Sequence, residues 1–286
     1  SVPLSLLLSV RPHQWTKNLL VFAGLIFGLK LFDLKAIVTA TEAFATFCAL
    51  SSVVYLINDV MDRESDTRHP IKQRRPIASG DLPVGGAIMA ALLIGAGAMA
   101  AAASLGTRFA MAAAAYLALQ FGYSLRLKHV VIVDALTLSL GFVLRAVAGA
   151  VVLDVMISHW LLVCTILLAL FMALAKRRHE LVLLADGATG HRPILGEYSP
   201  YLLDQMIAVV TASTLIAYIF YTISPETAEK FGTEWLGLTI PFPLYGIFRY
   251  LYLVHQREGG GSPSGLLLND RPLLACVALW VVAVVL

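Results

Sequence analysis

Apolar residues in this chain come in long runs, broken by short polar stretches that carry most of the charge. The runs lie near 18–32, 36–57, 83–105, 108–125, 130–153, 159–175, 202–224, 236–255 and 272–286. They are too long for buried strands and lack the alternation of half-buried ones, so each predicts a helix. A bilayer core takes about 20 apolar residues per crossing, which makes these segments about nine membrane spans. Residues 2–10 are too short to cross. Arg11-Pro12 follows them and no small-residue cleavage pattern does, so they predict an interfacial helix and not a signal peptide. The expected fold class is an all-α integral membrane protein, one polytopic domain over residues 1–286. Its loops on one side fall at about 58–82, 123–129, 176–201 and 256–271.

Composition narrows the choice. Hydrophobic residues make up 59% of the 286 positions and charged ones 14%, where a soluble domain carries about 25% charge. A soluble globular enzyme and a disordered tail are excluded. A net charge of +3 is too small for a nucleic-acid binder. Cys48, Cys164 and Cys276 sit inside apolar runs and read as small buried hydrophobes, not as a metal site or a disulfide framework.

The cations sort by loop. Arg11 and Lys17 precede the first span; Arg63, Arg68, Lys72, Arg74 and Arg75 fill the second loop, and Arg126 and Lys128 the fourth. Lys176, Arg177, Arg178 and Arg192 lie in the sixth loop, and Arg257 and Arg271 in the eighth. The alternate loops hold few. The positive-inside bias places the N-terminus and the even-numbered loops in the cytoplasm. Arg145 is the basic residue deepest in a span, where an unpaired charge is expensive. Glu42 is its expected partner, and a contact with a substrate phosphate is the other reading.

The densest chemistry is Asn58-Asp59-Val60-Met61-Asp62-Arg63-Glu64-Ser65-Asp66, where the second run ends. Asn58, Asp62 and Asp66 are spaced i, i+4, i+8 and share one face of a continuing helix, with Asp59 at its edge. Like charges at that spacing repel. A divalent cation reverses the sign, and all-oxygen ligands with open positions suit Mg²⁺ bridging to substrate phosphates. Such a run is also the ordinary polar end of a helix. Arg68, Lys72, Arg74 and Arg75 follow within ten residues, and acids beside cations describe a site for a metal-bound diphosphate. Further basic clusters are Tyr123-Ser124-Leu125-Arg126-Leu127-Lys128 and Lys176-Arg177-Arg178-His179-Glu180, the latter followed by Asp186. Both also fit a helix end facing anionic lipid. In Arg11-Pro12-His13-Gln14-Trp15-Thr16-Lys17-Asn18, Trp15 reads as an interface anchor, while Lys17 and Asn18 can reach into a cavity.

On Asn58, Asp62 and Asp66, followed by Pro70, Arg75-Pro76 and Ser79-Gly80, the chain resembles the UbiA superfamily of intramembrane prenyltransferases along its whole length. The resemblance implies a bundle of nine transmembrane helices with an active-site cavity at the cytoplasmic face. Aromatic prenyltransferases of that superfamily carry a second aspartate-rich motif after the sixth helix. Here that place holds Lys176-Arg177-Arg178-His179-Glu180. With the N-terminal Arg-Pro-His-Gln-Trp-Thr-Lys-Asn, this is similar to the branch of decaprenyl-phosphate phosphoribosyltransferases that serves cell-wall arabinan synthesis.

That resemblance implies 5-phosphoribosyl 1-diphosphate as donor, decaprenyl (polyprenyl) phosphate as acceptor, Mg²⁺ as cofactor and a bacterial plasma membrane as location. It implies metal ligands Asn58, Asp62 and Asp66, with Asp62, Asp59 and Asp66 catalytic. Phosphate contacts fall to Lys17, Asn18, Tyr55, Asn58, Arg68, Lys72, Arg75, Tyr123, Lys128, Lys176, Arg177 and Glu180. No nucleic acid is expected, and a homo-oligomer stays open. Two other readings remain: a prenyl diphosphate joined to a small acceptor, which asks for a second acidic pair, and a transporter, which asks for charges near the bilayer midplane.

Overall fold

The computed structural model describes residues 2–69, 72–185, 196–256 and 269–285. Its long helices follow the apolar runs. In chain order they are α1 (Val2–Ser9), a 3₁₀ helix (Pro12–Phe22) leading into α2 (Ala23–Phe27), α3 (Leu34–Met61), α4 (Arg63–Thr67) and α5 (Pro76–Ser79). Then come α6 (Val84–Ser104), α7 (Thr107–Leu125), α8 (Val133–Val152), α9 (His159–Ala185), α10 (Pro200–Ile223), α11 (Pro225–Phe231), α12 (Pro241–Gln256) and α13 (Arg271–Val285). The chain divides into two compact units, Ser1–Arg126 with Leu144–Val155, and Leu127–Val143 with Met156–Leu286.

Among the described residues five helices are long and apolar enough to cross a membrane: Leu34–Met61, Val84–Ser104, Val133–Val152, His159–Val182 and Pro200–Ile223. The other apolar runs are helical but shorter or more polar. The 16 residues of α12 and the 15 of α13 reach about 22–24 Å at 1.5 Å per residue, against a hydrocarbon core of about 30 Å. The first run is 3₁₀ through Phe22 before it becomes α-helical.

Small side chains fill the inward face of several of these segments. In α6 the buried positions are Ala87, Ala91, Ala98 and Ala102, while Met89, Leu92 and Leu93 point outward. In α3, Ala36, Ala40 and Ala43 are buried. Even α1 turns Ser5 and Ser9 inward and Leu4, Leu7 and Leu8 outward. Lipid is as apolar as leucine, so large side chains can face outward here at little cost, and small ones let helices approach.

The tightest approach in the first unit involves two glycines. A Cβ on Gly149 would lie 1.9 Å from the carbonyl oxygen of Val21, and one on Gly24 would lie 2.7 Å from that of Gly149. Both obstacles are backbone, which cannot turn aside. Gly149→Ala is therefore expected to destabilise by about 1–3 kcal/mol, the usual cost of overpacking. A thermal midpoint in detergent equal to wild type would show that the two segments separate freely.

The second unit has a core of larger residues. Phe171 and Leu174 of α9, Leu203 and Ile207 of α10, Ile247 and Tyr250 of α12 and Leu273 of α13 are buried together. The Phe171 and Tyr250 rings meet edge-on at 5.1 Å between centroids.

Candidate functional site

The acidic segment keeps its helical register across the junction between α3 and α4. Asp62 N–H donates to Asn58 O and Asp66 N–H to Asp62 O, both at 2.8 Å. Asn58, Asp62 and Asp66 thus follow one another turn by turn. Asp59 and Asp66 are only 3% and 2% exposed. Two such buried carboxylates need compensation, and arginines provide it. Arg75 Nη1 donates to Asp59 Oδ1 at 3.1 Å and to Asp66 Oδ2 at 2.5 Å. Arg11 Nη2 donates to Asp59 Oδ1 at 2.6 Å, and its guanidinium lies 5.0 Å from the centre of the Tyr55 ring. Lys72 Nζ stands 4.0 Å from Asp66 Oδ1.

Arg11 reaches Asp59 from a left-handed backbone, φ 53°. That costs a non-glycine residue about 1–3 kcal/mol, which the surrounding contacts must offset. Arg75, expected at a substrate phosphate, is placed as the tie between Asp59 and Asp66, so these acids are paired with cations. Arg11, which carried no assigned role, is its companion.

Asn58 Oδ1 is buried and has no hydrogen-bond partner. A buried acceptor left unpaired costs about 1–3 kcal/mol, and a cation removes that cost. Among the described residues no three His, Cys, Asp or Glu side chains are placed to hold a metal ion by themselves. Asn58 Oδ1 and the Asp62 carboxylate, one helical turn apart, are oxygen donors of the type that Mg²⁺ takes together with phosphate oxygens and water. Arg68 caps α4 and is exposed. Tyr123 lies half-buried near the end of α7 and Lys17 in the 3₁₀ helix.

Three expectations near the N-terminus change. Asn18 is fully buried; its Nδ2 donates to Ser51 Oγ at 3.2 Å and to Cys48 Sγ at 3.4 Å. Its Oδ1 accepts from Arg145 Nε at 2.7 Å, so it is an internal tie and not a cavity contact. Arg145 also donates to Tyr116 Oη at 2.9 Å, with its guanidinium 4.7 Å from that ring's centre. Glu42 is not the partner of Arg145. It is exposed and lines a groove with Ala45, Ala49, Gly97 and Ala101. The reason is the segment ahead of α2, which brings Asn18 to α3 and supplies a neutral acceptor for the buried guanidinium. Trp15 donates to Ser52 Oγ at 3.1 Å and packs with Val53 and Leu56, so it anchors to α3 and not only to the interface.

In the second unit Arg177 is 1% and Asp134 0% exposed, joined Nε to Oδ2 at 2.8 Å. Arg177 Nη1 also donates to Glu180 Oε2 at 2.7 Å, and Lys176 Nζ is 3.8 Å from Glu180 Oε1. Arg177, expected at a substrate phosphate, is buried and paired with these two carboxylates. Lys128 stands half-buried on a 3₁₀ turn, Leu127–His129. Asp186 and Arg192 lie outside the described residues.

Apolar helices in number, an oxygen-rich acidic turn clamped by cations and a second basic cluster define a multi-pass membrane protein built to handle anionic groups. The chain belongs to the UbiA prenyltransferase family, which it matches over residues 18–268. It is 34% identical over 283 residues to the decaprenyl-phosphate phosphoribosyltransferase of Corynebacterium glutamicum, covering 97% of this chain and 84% of the relative. Against the protein of that name from Mycolicibacterium smegmatis the identity is 33%, over 96% of this chain and 90% of the relative. The fold resembles the solved structure of a UbiA homolog from Archaeoglobus fulgidus bound to GPP and Mg²⁺. There the TM-score is 0.74 at 19% identity, covering 98% of each chain.

Proposed function

We propose that the protein transfers 5-phosphoribose from 5-phosphoribosyl 1-diphosphate to decaprenyl (polyprenyl) phosphate and releases diphosphate. The observation that carries this reading is the full-length similarity to relatives of that name. It agrees with a residue set that places Lys176-Arg177-Arg178-His179-Glu180 where a second aspartate motif would stand. In the reaction the bond from ribose C1 to the diphosphate oxygen breaks, and a lipid phosphate oxygen forms the new C1–O bond. The acceptor is already ionised at neutral pH, so no side chain has to remove a proton. The chain's part is to place two anions and screen their charge.

The donor set fits Mg²⁺. Asn58 Oδ1 and the Asp62 carboxylate would hold it, with Asp66 as the third candidate, and bound there it supplies positive charge to the departing diphosphate. Arg75 and Arg11 hold Asp59 and Asp66 in place. Lys17, Arg68, Lys72 and Tyr123 in the first unit, and Lys128 and Lys176 in the second, are assigned to substrate phosphates. The nine-span arrangement, a cytoplasmic N-terminus and even loops, and a bacterial plasma membrane complete the proposal.

Incubating purified protein with Mg²⁺, labelled phosphoribosyl diphosphate and decaprenyl phosphate is expected to yield a labelled lipid in the organic extract. A product formed instead from a prenyl diphosphate and a phenolic acceptor would overturn the reading.

A further inference from the structure

Ile132 holds φ 69°, a left-handed backbone that a β-branched residue adopts only when its surroundings force it. Packing does not supply that force, because Ile132 is 45% exposed. A hydrogen bond does. The Ile132 N–H donates to Tyr198 Oη at 2.6 Å, and the same hydroxyl donates to Asp134 Oδ1 at 2.9 Å. The second oxygen of Asp134 accepts from Arg177, so neither end of the relay can drift.

Tyr198 is itself buried, and burial pushes its hydroxyl up to about 12, so it stays protonated and able to donate at neutral pH. The strained residue closes a short bend. Val130 N–H donates to Leu127 O at 3.2 Å and Asp134 N–H to Val130 O at 3.0 Å, so the backbone between Lys128 and Asp134 is stitched at both ends. Nothing in the residue pattern marked Tyr198, which is some sixty positions along from the turn it grips.

We propose that Tyr198 is a positioning residue whose hydroxyl fixes the bend after Leu127–His129 and thereby sets where Lys128 meets substrate phosphate. The proposal rests on the assignment of Lys128 given above. It is a role exercised through the backbone, without contact to substrate.

Tyr198→Phe removes the hydroxyl and keeps the ring. The expected result is a rise of about tenfold in KM for the substrate whose KM also rises in Lys128→Ala, with the KM of the other substrate within twofold. The double variant Tyr198→Phe with Lys128→Ala should be no worse than Lys128→Ala within twofold, because a misplaced lysine and an absent one are equivalent. Ile132→Gly supplies a second arm: glycine adopts positive φ without steric cost, so Tyr198→Phe in that background should change KM less than threefold. Amide exchange at residues 128–133, read without turnover, should be faster in Tyr198→Phe than in wild type. If Lys128→Ala raises a KM and Tyr198→Phe raises none, the positioning role falls while the site assignment stands. If Lys128→Ala leaves both KM values unchanged, the assignment of Lys128 itself falls. Faster unfolding of Tyr198→Phe with both KM values and loop exchange unchanged would make Tyr198 a packing residue only.

Discussion

Asp62→Ala is expected to lower turnover at least a hundredfold while the detergent-extracted protein keeps its thermal midpoint within a few degrees. A hundredfold loss is about 2.7 kcal/mol of transition-state stabilisation, within reach of one lost ligand to the charge that balances a leaving diphosphate. The separation of the two readouts follows from the geometry. Asp59 is tied to Arg11 and Arg75, and Asp66 to Arg75, so losing either breaks a buried ion pair. Asp62 is only half-buried and stands one helical turn after Asn58, so less desolvated charge is at stake there than at Asp59 or Asp66. Initial rates at saturating Mg²⁺ with unfolding curves on the same preparation check this. Retention of a tenth or more of the wild-type rate would remove Asp62 from the ligand set.

The largest loss of stability is expected from Asp134→Ala. Asp134 and Arg177 are almost completely buried and 2.8 Å apart, and removing one partner of such a pair costs about 3–5 kcal/mol because the other charge stays behind without an equal. Glu180 still reaches Arg177 but is itself partly exposed, which limits how far it can substitute. Asp134→Leu with Arg177→Met should be less damaging than the sum of the single changes, since no buried charge is stranded. Thermal unfolding of the set decides it, and additive losses would mean that the pair is not a unit.

What the sequence disclosed follows physical range. Helices were legible because a run of apolar residues is a local property, and the acidic turn was legible because i, i+4, i+8 spacing is local too. The 3₁₀ start of the first run was not, and neither was the close approach of Gly149 to the Val21 backbone, which joins positions far apart in the chain. Asn58, Asp62 and Asp66 were named correctly as a line, but the clamp of Arg75 on Asp59 and Asp66 needs the loop's return path. The expected partner of Arg145 was Glu42, which an estimate of depth along the two helix axes places near the same level. Axial depth says nothing of rotation about the helix, and the guanidinium instead meets Asn18 and Tyr116. Tyr198 gave no signal at all, because its partners are one backbone amide and a distant carboxylate.

The outward placement of Leu92 and Leu93 against the inward Ala87, Ala91, Ala98 and Ala102 reverses the mutational map of a soluble protein. In water-soluble domains, enlarging a surface residue is harmless and shrinking a core residue is not. Here the outer leucines should tolerate exchange for any apolar residue, whereas adding a single methylene to the inner alanines pushes neighbouring helices apart. In α6, random substitution would therefore strike hardest at the smallest side chains. Directed evolution of this scaffold has its freedom on the lipid-facing exterior, with almost none in the alanine seams.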